Sequence, residues 1–265
     1  LMSVEAAIQE LRALESSLPS FDGEVRLTIK EDVATLLLDS PNSANALTVK
    51  MMRQIGEAVR SVMDDSAIRF LTLKGIGSVF CAGGHLGLVR AGLIDTDCGR
   101  RMSRAMGEIL DELAASDVVS VSVLDGGAIG GGAELAVSTD FRVFGSLGWL
   151  RFSQGTLGVA GGWGGVARLA SIVPRNVALR LLFRAEVVDA SLALKLGIAD
   201  NVVASAESGV VEFIEELRAV SPSAMKSLKQ QVVAARRAST DNAEQVRIFA
   251  TVWGGDEHRS KMSKA

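Results

Sequence analysis

The densest run of chemistry-capable positions is Gly126-Gly127-Ala128-Ile129-Gly130-Gly131-Gly132-Ala133-Glu134-Leu135-Ala136-Val137-Ser138-Thr139-Asp140. An apolar strand-like run, Val118 to Leu124, leads into it, and Ala133 to Val137 reads as a helix start. Glycines at such a corner clear side chains from the backbone, so its N–H groups approach a ligand closely. The first N–H groups of a helix lack intrahelical partners and lie at its positive end. Corner and helix start together suit a developing negative charge. Glu134, three residues after Gly131, adds an acid or base within side-chain reach. That is the layout of an oxyanion hole beside a proton-transfer group. Many such turns in α/β proteins serve only to pack a helix on a sheet. The run fits no G-x-G-x-x-G dinucleotide fingerprint, and no Gly-Lys-Ser/Thr follows to make a phosphate loop.

The whole chain narrows the chemistry. Its 265 residues suffice for one large domain or two small ones, and 48% of them are apolar, enough for a sizeable core. A net charge of −3 gives no bulk attraction to nucleic acid or an anionic membrane. Tyrosine is absent, which removes phenol from the possible catalytic acids. Cys81 and Cys98 cannot supply a disulfide framework, and no metal-ligand cluster is in register. Early Glu5 and Glu10, with no basic segment ahead of an apolar one, argue against a secretory leader. No apolar run approaches the roughly 18 residues a membrane helix needs. These features predict a soluble, cytoplasmic globular protein.

The periodicities predict the elements that position this corner. Val4 to Leu18 is an amphipathic helix ended by Pro19, and Val25–Ile29 with Val33–Leu38 reads as a β-hairpin. The loop Asp39 to Leu47 is rich in turn formers, and Thr48 caps a helix with Val49, Met52, Ile55, Val59 and Val62 on one face. Ile68 to Leu73 is a buried strand, followed by a second glycine corner, Gly75 to Leu86. Cys98 to Leu113 is a helix, Phe141 to Phe144 a short strand, and Gly158 to Gly165 a third glycine cluster. Helices then cover Val166 to Val173, Asn176 to Phe183 and Ala190 to Leu196, with a last strand at Ile198 to Val203. From Ser205 onward the chain reads as three helical pieces, broken at Ser221-Pro222 and Ser239-Thr240. Strand and helix alternation up to Val203 predicts an α/β fold with a helical C-terminal region.

Two glycine corners, each offering an N–H, are what a thioester carbonyl needs as it becomes an enolate. With that pairing, the sequence resembles the crotonase (enoyl-CoA hydratase/isomerase) superfamily. The matching pieces are Ser40-Pro41-Asn42 with Asn45-Ala46-Leu47, Phe80 to Gly84, Ala128 to Leu135, and Gly161 to Leu169, in family order from about Glu24 to the C-terminus. The resemblance implies an α/β spiral of ββα turns over residues 1–203, with the N-terminal helix within 1–20. It implies a helical C-terminal region over 204–265, packed on the core or on a neighbouring subunit of a homotrimer or a dimer of trimers. It further implies an oxyanion hole from the N–H groups of Gly84 and Gly131, and backbone contacts to a coenzyme A thioester around Ala44, Ala46, Ala82 and Leu86. Coenzyme A enters as part of the substrate, with carrier-protein thioesters as the other option, and no permanent cofactor is expected. Asp140 matches a position that looks structural.

Departures from the family pattern bear on three readings: a decarboxylase of a short branched malonyl-type thioester, a hydratase/isomerase-type lyase using Glu134 alone, and a catalytically weak coenzyme A thioester-binding protein. Family hydratases use two glutamates, one matching Glu134 and the other falling at Gln154. Glutamine exchanges no proton near neutral pH, so paired acid–base hydration loses a partner. His85 stands where the family usually has aspartate; it is either a substrate-facing group titrating near neutrality or a loop residue in that slot. Decarboxylation of an α-carboxyacyl thioester tolerates the loss, because departure of carbon dioxide creates the enolate directly and one proton delivery completes it. Gly130 to Glu134, Thr139 to Arg142, Arg151-Phe152, Trp163-Gly164-Gly165 and Thr251 to Gly255 are similar to the ethylmalonyl-CoA and methylmalonyl-CoA decarboxylase branch. Trp163 reads as an acyl-pocket wall or as core, Trp253 as a pocket cover or subunit contact, and Arg236, Arg237 and Lys261 as phosphate partners across an interface or as exposed charges. His258 reads as solvated in a charged tail, and Cys81 as a small packing residue.

Overall fold

The computed structural model describes residues 2–237, 249–250 and 253–263. Helix α1 spans Val4–Ser17, started by the Ser3 hydroxyl accepting from the Ala6 N–H, and it buries Val4, Ile8, Leu11 and Leu14. Strands β1 (Glu24–Lys30) and β2 (Val33–Asp39) form the antiparallel hairpin, and α2 (Val49–Asp64) follows behind the Thr48 cap. The chain then repeats one motif. Strands β3 (Phe70–Gly75) and β4 (Val79–Cys81) lead through the short α3 (Leu86–Leu88) to the long α4 (Thr96–Ala115). Strands β5 (Val119–Leu124) and β6 (Gly127–Ile129) lead to α5 (Gly131–Ala136). Strands β7 (Phe141–Gly145) and β8 (Trp149–Arg151) lead to α6 (Gly165–Ile172) and α7 (Arg175–Arg184). After β9 (Val188–Asp189), α8 (Ala190–Lys195) and β10 (Asn201–Val203), the chain continues as α9 (Ala206–Leu217) and α10 (Pro222–Arg237).

Within each repeat the first strand joins a large sheet and the second a small one. The large sheet runs β1-β2-β3-β5-β7-β10 and the small one β4-β6-β8-β9. Apart from the β1–β2 and β8–β9 pairs, all pairings are parallel, so every return crosses over through a helix or loop. This is the spiral of ββα turns. Both faces of a parallel sheet must be covered, and two clusters cover this one. Helices α1, α2 and α4 fill the main core, while Val119, Val121 and Val123 of β5 meet Ala206, Val210 and Ile214 of α9 on the other face. Asp125 seats α9 by accepting the Ala206 and Glu207 N–H groups at 2.6 and 2.9 Å.

Several boundaries differ from the sequence reading. Helix α4 begins at Thr96 rather than Cys98, because the Asp95 carboxylate accepts the Asp97 and Cys98 N–H groups. The last strand shrinks to Asn201–Val203: the N–H groups of Ile198 and Ala199 both turn back to the Ala193 carbonyl, closing α8. The small sheet has no counterpart in the sequence reading, since its strands are two or three residues long and leave no period to detect. His258, read as solvated, is buried against Trp253 with Nδ1 accepting the Gly254 N–H at 3.0 Å. Trp253 is buried against its own chain and donates to the Leu93 carbonyl at 2.6 Å. Ser239, Thr240, Thr251 and Val252, and the side chains of Arg236, Arg237 and Lys261, lie outside the described residues.

Asp140 ties α10 to the sheet. Its carboxylate accepts from the Ser120 N–H and hydroxyl, both at 2.8 Å, and from the Lys229 ammonium at 2.7 Å. Lys229 is nearly buried, so losing its partner strands a charge. Asp140→Ala is expected to lower stability by about 3 kcal/mol, measured as a lower urea midpoint at unchanged m-value.

Candidate active site

The loop between β2 and α2 is held in an unfavourable backbone form. Ala44 and Asn45 both have positive φ, 51° and 55°, a region costly for residues with a Cβ. Asn45 maintains it from a fully buried position. Its Oδ1 accepts the Ser40 N–H at 3.0 Å, and its Nδ2 donates to the carbonyls of Ile76 and Val79 at 2.9 and 2.7 Å. The side chain therefore pins this loop to the second glycine corner. Backbone bonds continue the seam: Ala82 N–H to Ala44 O at 3.0 Å, Leu47 N–H to Gly83 O at 2.7 Å, and His85 N–H to Leu47 O at 3.0 Å. Gly84 sits between the last two, and its own N–H meets no acceptor among the described residues.

The third strand-to-helix corner meets the second. Gly130, with φ 54°, turns β6 into α5 and donates its N–H to the Arg151 carbonyl at 2.9 Å. Gly131 is the first residue of α5, two positions earlier than the sequence reading placed the helix start, and its N–H likewise meets no acceptor among the described residues. A Cβ on Gly83 would lie 3.0 Å from the Gly131 nitrogen, and one on Gly132 would lie 2.0 Å from the Cys81 carbonyl oxygen. The two corners are thus in backbone contact, possible only without side chains there. A Cβ on Gly131 would lie 2.5 Å from the Trp163 ring, which places that buried indole against the corner. Its Nε1 donates to Met102 Sδ at 3.0 Å.

Behind the corner lies the Glu134 carboxylate, 3% exposed. Oε1 accepts the N–H groups of Trp163 and Gly165 at 3.1 and 3.0 Å. Oε2 accepts the Gly162 N–H at 3.2 Å and Gln154 Nε2 at 3.0 Å. Two lone-pair sites per oxygen make about four acceptor positions, so all are taken. Burial pushes this carboxyl above the usual glutamate range, and the bonds from Trp163, Gly162, Gly165 and Gln154 oppose that rise. Gly161 and Gly165 are needed for this approach, since a Cβ on either would come within 2.9 Å of the Glu134 side chain. Arg168 completes the loop, donating to the Trp163 carbonyl at 2.6 Å and pairing with Asp111.

The expected site residues fall into two groups. Gly84, Gly131, Glu134 and Gln154 form one contiguous assembly through the corners and the 161–165 loop, with Ala44 and Ala82 joined along its rim. Ala46 is buried beside them, and Leu86 opens α3 on the exposed side. His85 engages other partners: Nδ1 accepts the Leu88 N–H at 3.3 Å, Nε2 lies 3.3 Å from the Ser43 hydroxyl, and the ring packs on Phe21. Its Nδ1 bond caps α3, and burial lowers its pKa. Cys81 is fully buried with its thiol pushed up to about 12, which leaves it unreactive. Asn45 and Arg168 were not singled out from sequence. Both lie inside the matching motifs, but only the folded chain shows which loops they join.

Residues 28–262 match the enoyl-CoA hydratase/isomerase family. The chain belongs to that family. Among curated relatives it is 32% identical over 251 residues to an ethylmalonyl-CoA decarboxylase of Xenopus laevis, covering 91% of this chain and 83% of that one. A Gallus gallus protein of the same name is 31% identical, covering 88% and 80% of the two chains. Among solved structures, an enoyl-CoA hydratase/isomerase from Mycobacterium paratuberculosis superposes with a TM-score of 0.84 at 19% identity, over 93% of this chain and all of that one, 100%. A Thermobifida fusca protein in complex with acetoacetyl-CoA superposes with a TM-score of 0.73 at 25% identity, over 97% and 98%. The fold is that of crotonases. Among the described residues, no helix is long and apolar enough to cross a membrane.

Asn45→Ala removes three side-chain hydrogen bonds from a buried site and releases the strained turn. It is expected to cost about 3 kcal/mol, measured by denaturant unfolding.

Proposed function

We propose that this protein decarboxylates a short, branched malonyl-type coenzyme A thioester, working as a lyase. The observation that carries this reading is the occupied Glu134 carboxylate with Gln154 as one of its donors. Addition of water to a double bond needs a free base to take a proton from that water and an acid to return one. Gln154, the side chain bonded to Glu134, has no proton to trade, so that pair lacks one of its two members. Decarboxylation asks for less. The bond from the α-carbon to the carboxylate breaks, its electron pair passes to the thioester oxygen as an enolate, carbon dioxide leaves, and one proton goes to the α-carbon.

The geometry supports each requirement. The unengaged N–H groups of Gly84 and Gly131, on two corners in contact, would stabilise the enolate oxygen, which forms only as the carboxylate departs. The Trp163 indole against Gly131 makes the wall poorly solvating, which disfavours a retained carboxylate. Backbone groups around Ala44, Ala46, Ala82 and Leu86 line the rim where a thioester chain would lie. Burial makes the acid form of Glu134 accessible for the final protonation. The decarboxylase names of the curated relatives agree with this choice, as does the acetoacetyl-CoA complex of the Thermobifida fusca protein with a thioester ligand. Assembly as a trimer or dimer of trimers belongs to the same proposal.

Ethylmalonyl-CoA and methylmalonyl-CoA are expected to lose carbon dioxide in a mass-spectrometric time course, with crotonyl-CoA unchanged. Water addition to crotonyl-CoA without decarboxylation would overturn the reading. Gly131→Val drives a side chain into the Trp163 ring and displaces the N–H. Decarboxylation should fall by about 100-fold or more, with the circular dichroism spectrum retained.

A further inference from the structure

Gln154 is 8% exposed, and its two amide ends have unequal surroundings. Nε2 donates to Glu134 Oε2 at 3.0 Å. Oε1 is buried and has no hydrogen-bond partner among the described residues. A buried acceptor without a donor is unfavourable, so the arrangement satisfies only one of the states this pair can adopt. An amide carries a donor and an acceptor of nearly equal size, and a half-turn about its last bond exchanges them. With Glu134 ionised, Oε2 calls for a donor and Nε2 supplies it. With Glu134 protonated on Oε2, the new O–H calls for an acceptor. The half-turn brings Oε1 there, and Oε1 gives up no bond among the described residues to do so.

We propose that Gln154 is a positioning residue whose amide turns over as Glu134 gains and loses its proton, keeping this carboxyl hydrogen-bonded as the acid that protonates the enolate. The proposal rests on the decarboxylase reading above. In the acid form, the Glu134 O–H is held on Gln154 Oε1. When carbon dioxide leaves, the enolate α-carbon takes that proton and the O–H bond electrons stay on Oε2. Nε2 then swings in to stabilise the carboxylate until a solvent proton restores the acid. One proton is consumed per turnover, which balances conversion of an α-carboxyacyl thioester to the acyl thioester and carbon dioxide. A methionine at 154 would serve neither state. A glutamate there would place two carboxyls in hydrogen-bond contact to share one proton.

Few other groups act on this titration. The 161–165 loop presents only backbone N–H groups to Glu134. From α6 comes the Arg168 guanidinium, held by Asp111 of α4, and its charge favours the ionised form of Glu134. From β4, Cys81 packs under Gly132, its thiol accepts the Gly83 N–H at 3.4 Å, and it stays neutral. His85 turns toward Ser43 and Leu88.

The test combines infrared titration of the Glu134 carboxyl band in the full-length protein, assigned by subtracting Glu134→Gln, with the pH profile of carbon dioxide release. Turnover needs the acid form, so it falls as pH rises through the Glu134 midpoint. Gln154 Oε1 gains the Glu134 O–H as a donor only in the acid form, so the Gln154 side-chain carbonyl band, assigned by subtracting Gln154→Met, should shift to lower wavenumber as Glu134 is protonated, with the same midpoint as the carboxyl band. Isotope labelling of the glutamine side-chain carbonyl assigns the same band if the methionine variant does not fold. An amide carbonyl band that stays fixed while the Glu134 carboxyl band titrates overturns the switch. An alkaline limb of turnover that lies away from the Glu134 midpoint overturns the role in protonation. Both bands are read without substrate. Absence of decarboxylation with a moving amide band would therefore defeat the reaction assignment alone, whereas a static amide band defeats the switch whatever the turnover.

Discussion

The Glu134 carboxylate organises the interior of the candidate site. It reaches from the first turn of α5 into the loop ahead of α6 and accepts three backbone N–H groups there. A buried loop leaves backbone donors that no sheet or helix can satisfy, and an unpaired buried donor is costly. One carboxylate meets three of them and so fixes the loop that carries Trp163 against Gly131. The glycines at 161 and 165 follow from that bond set, because any Cβ would occupy the space of the Glu134 side chain. The carboxylate lies too deep to be solvated, and its donor cage is what makes that burial tolerable.

A second seam joins the rim. Asn45 holds two consecutive residues at positive φ while bridging to the corner at Ile76 and Val79, and the backbone bonds of Ala82, Leu47 and His85 extend the join. These bonds use the groups on either side of Gly84 and leave its N–H without an acceptor among the described residues. The same happens at Gly131, where the helix start withholds a partner. At both corners the neighbouring groups are satisfied while these two N–H groups are not.

Much of the framework was legible in the sequence. Helices α1, α2 and α4 bury the faces that their apolar spacing marks, and the Thr48 cap and the β1–β2 hairpin stand where turn and capping residues place them. These are local properties, set by periods of two or 3.6 residues and by side chains bonding a few positions away. The glycine corners were legible too, as places where backbone must come close. The alternation of strand and helix was visible as an α/β class, whereas the spiral of ββα turns came only with the family resemblance, because strands as short as β4, β6 and β8 contribute no period of their own.

Tertiary structure decided the partnerships. Sequence marks Glu134 and Gln154 as candidates twenty positions apart; that they are bonded to each other, and that Glu134 also holds the 161–165 loop, depends on α5 and α6 meeting across the spiral. Sequence leaves His85 between a substrate-facing group and a loop residue, and its described contacts are a helix cap, Ser43 and Phe21. Sequence suggests a solvated His258 from the charges around it, yet the fold buries its ring on Trp253. In each case residue type states what a side chain is able to do, and only its three-dimensional neighbours, which carry no period along the chain, determine which of those capacities is used.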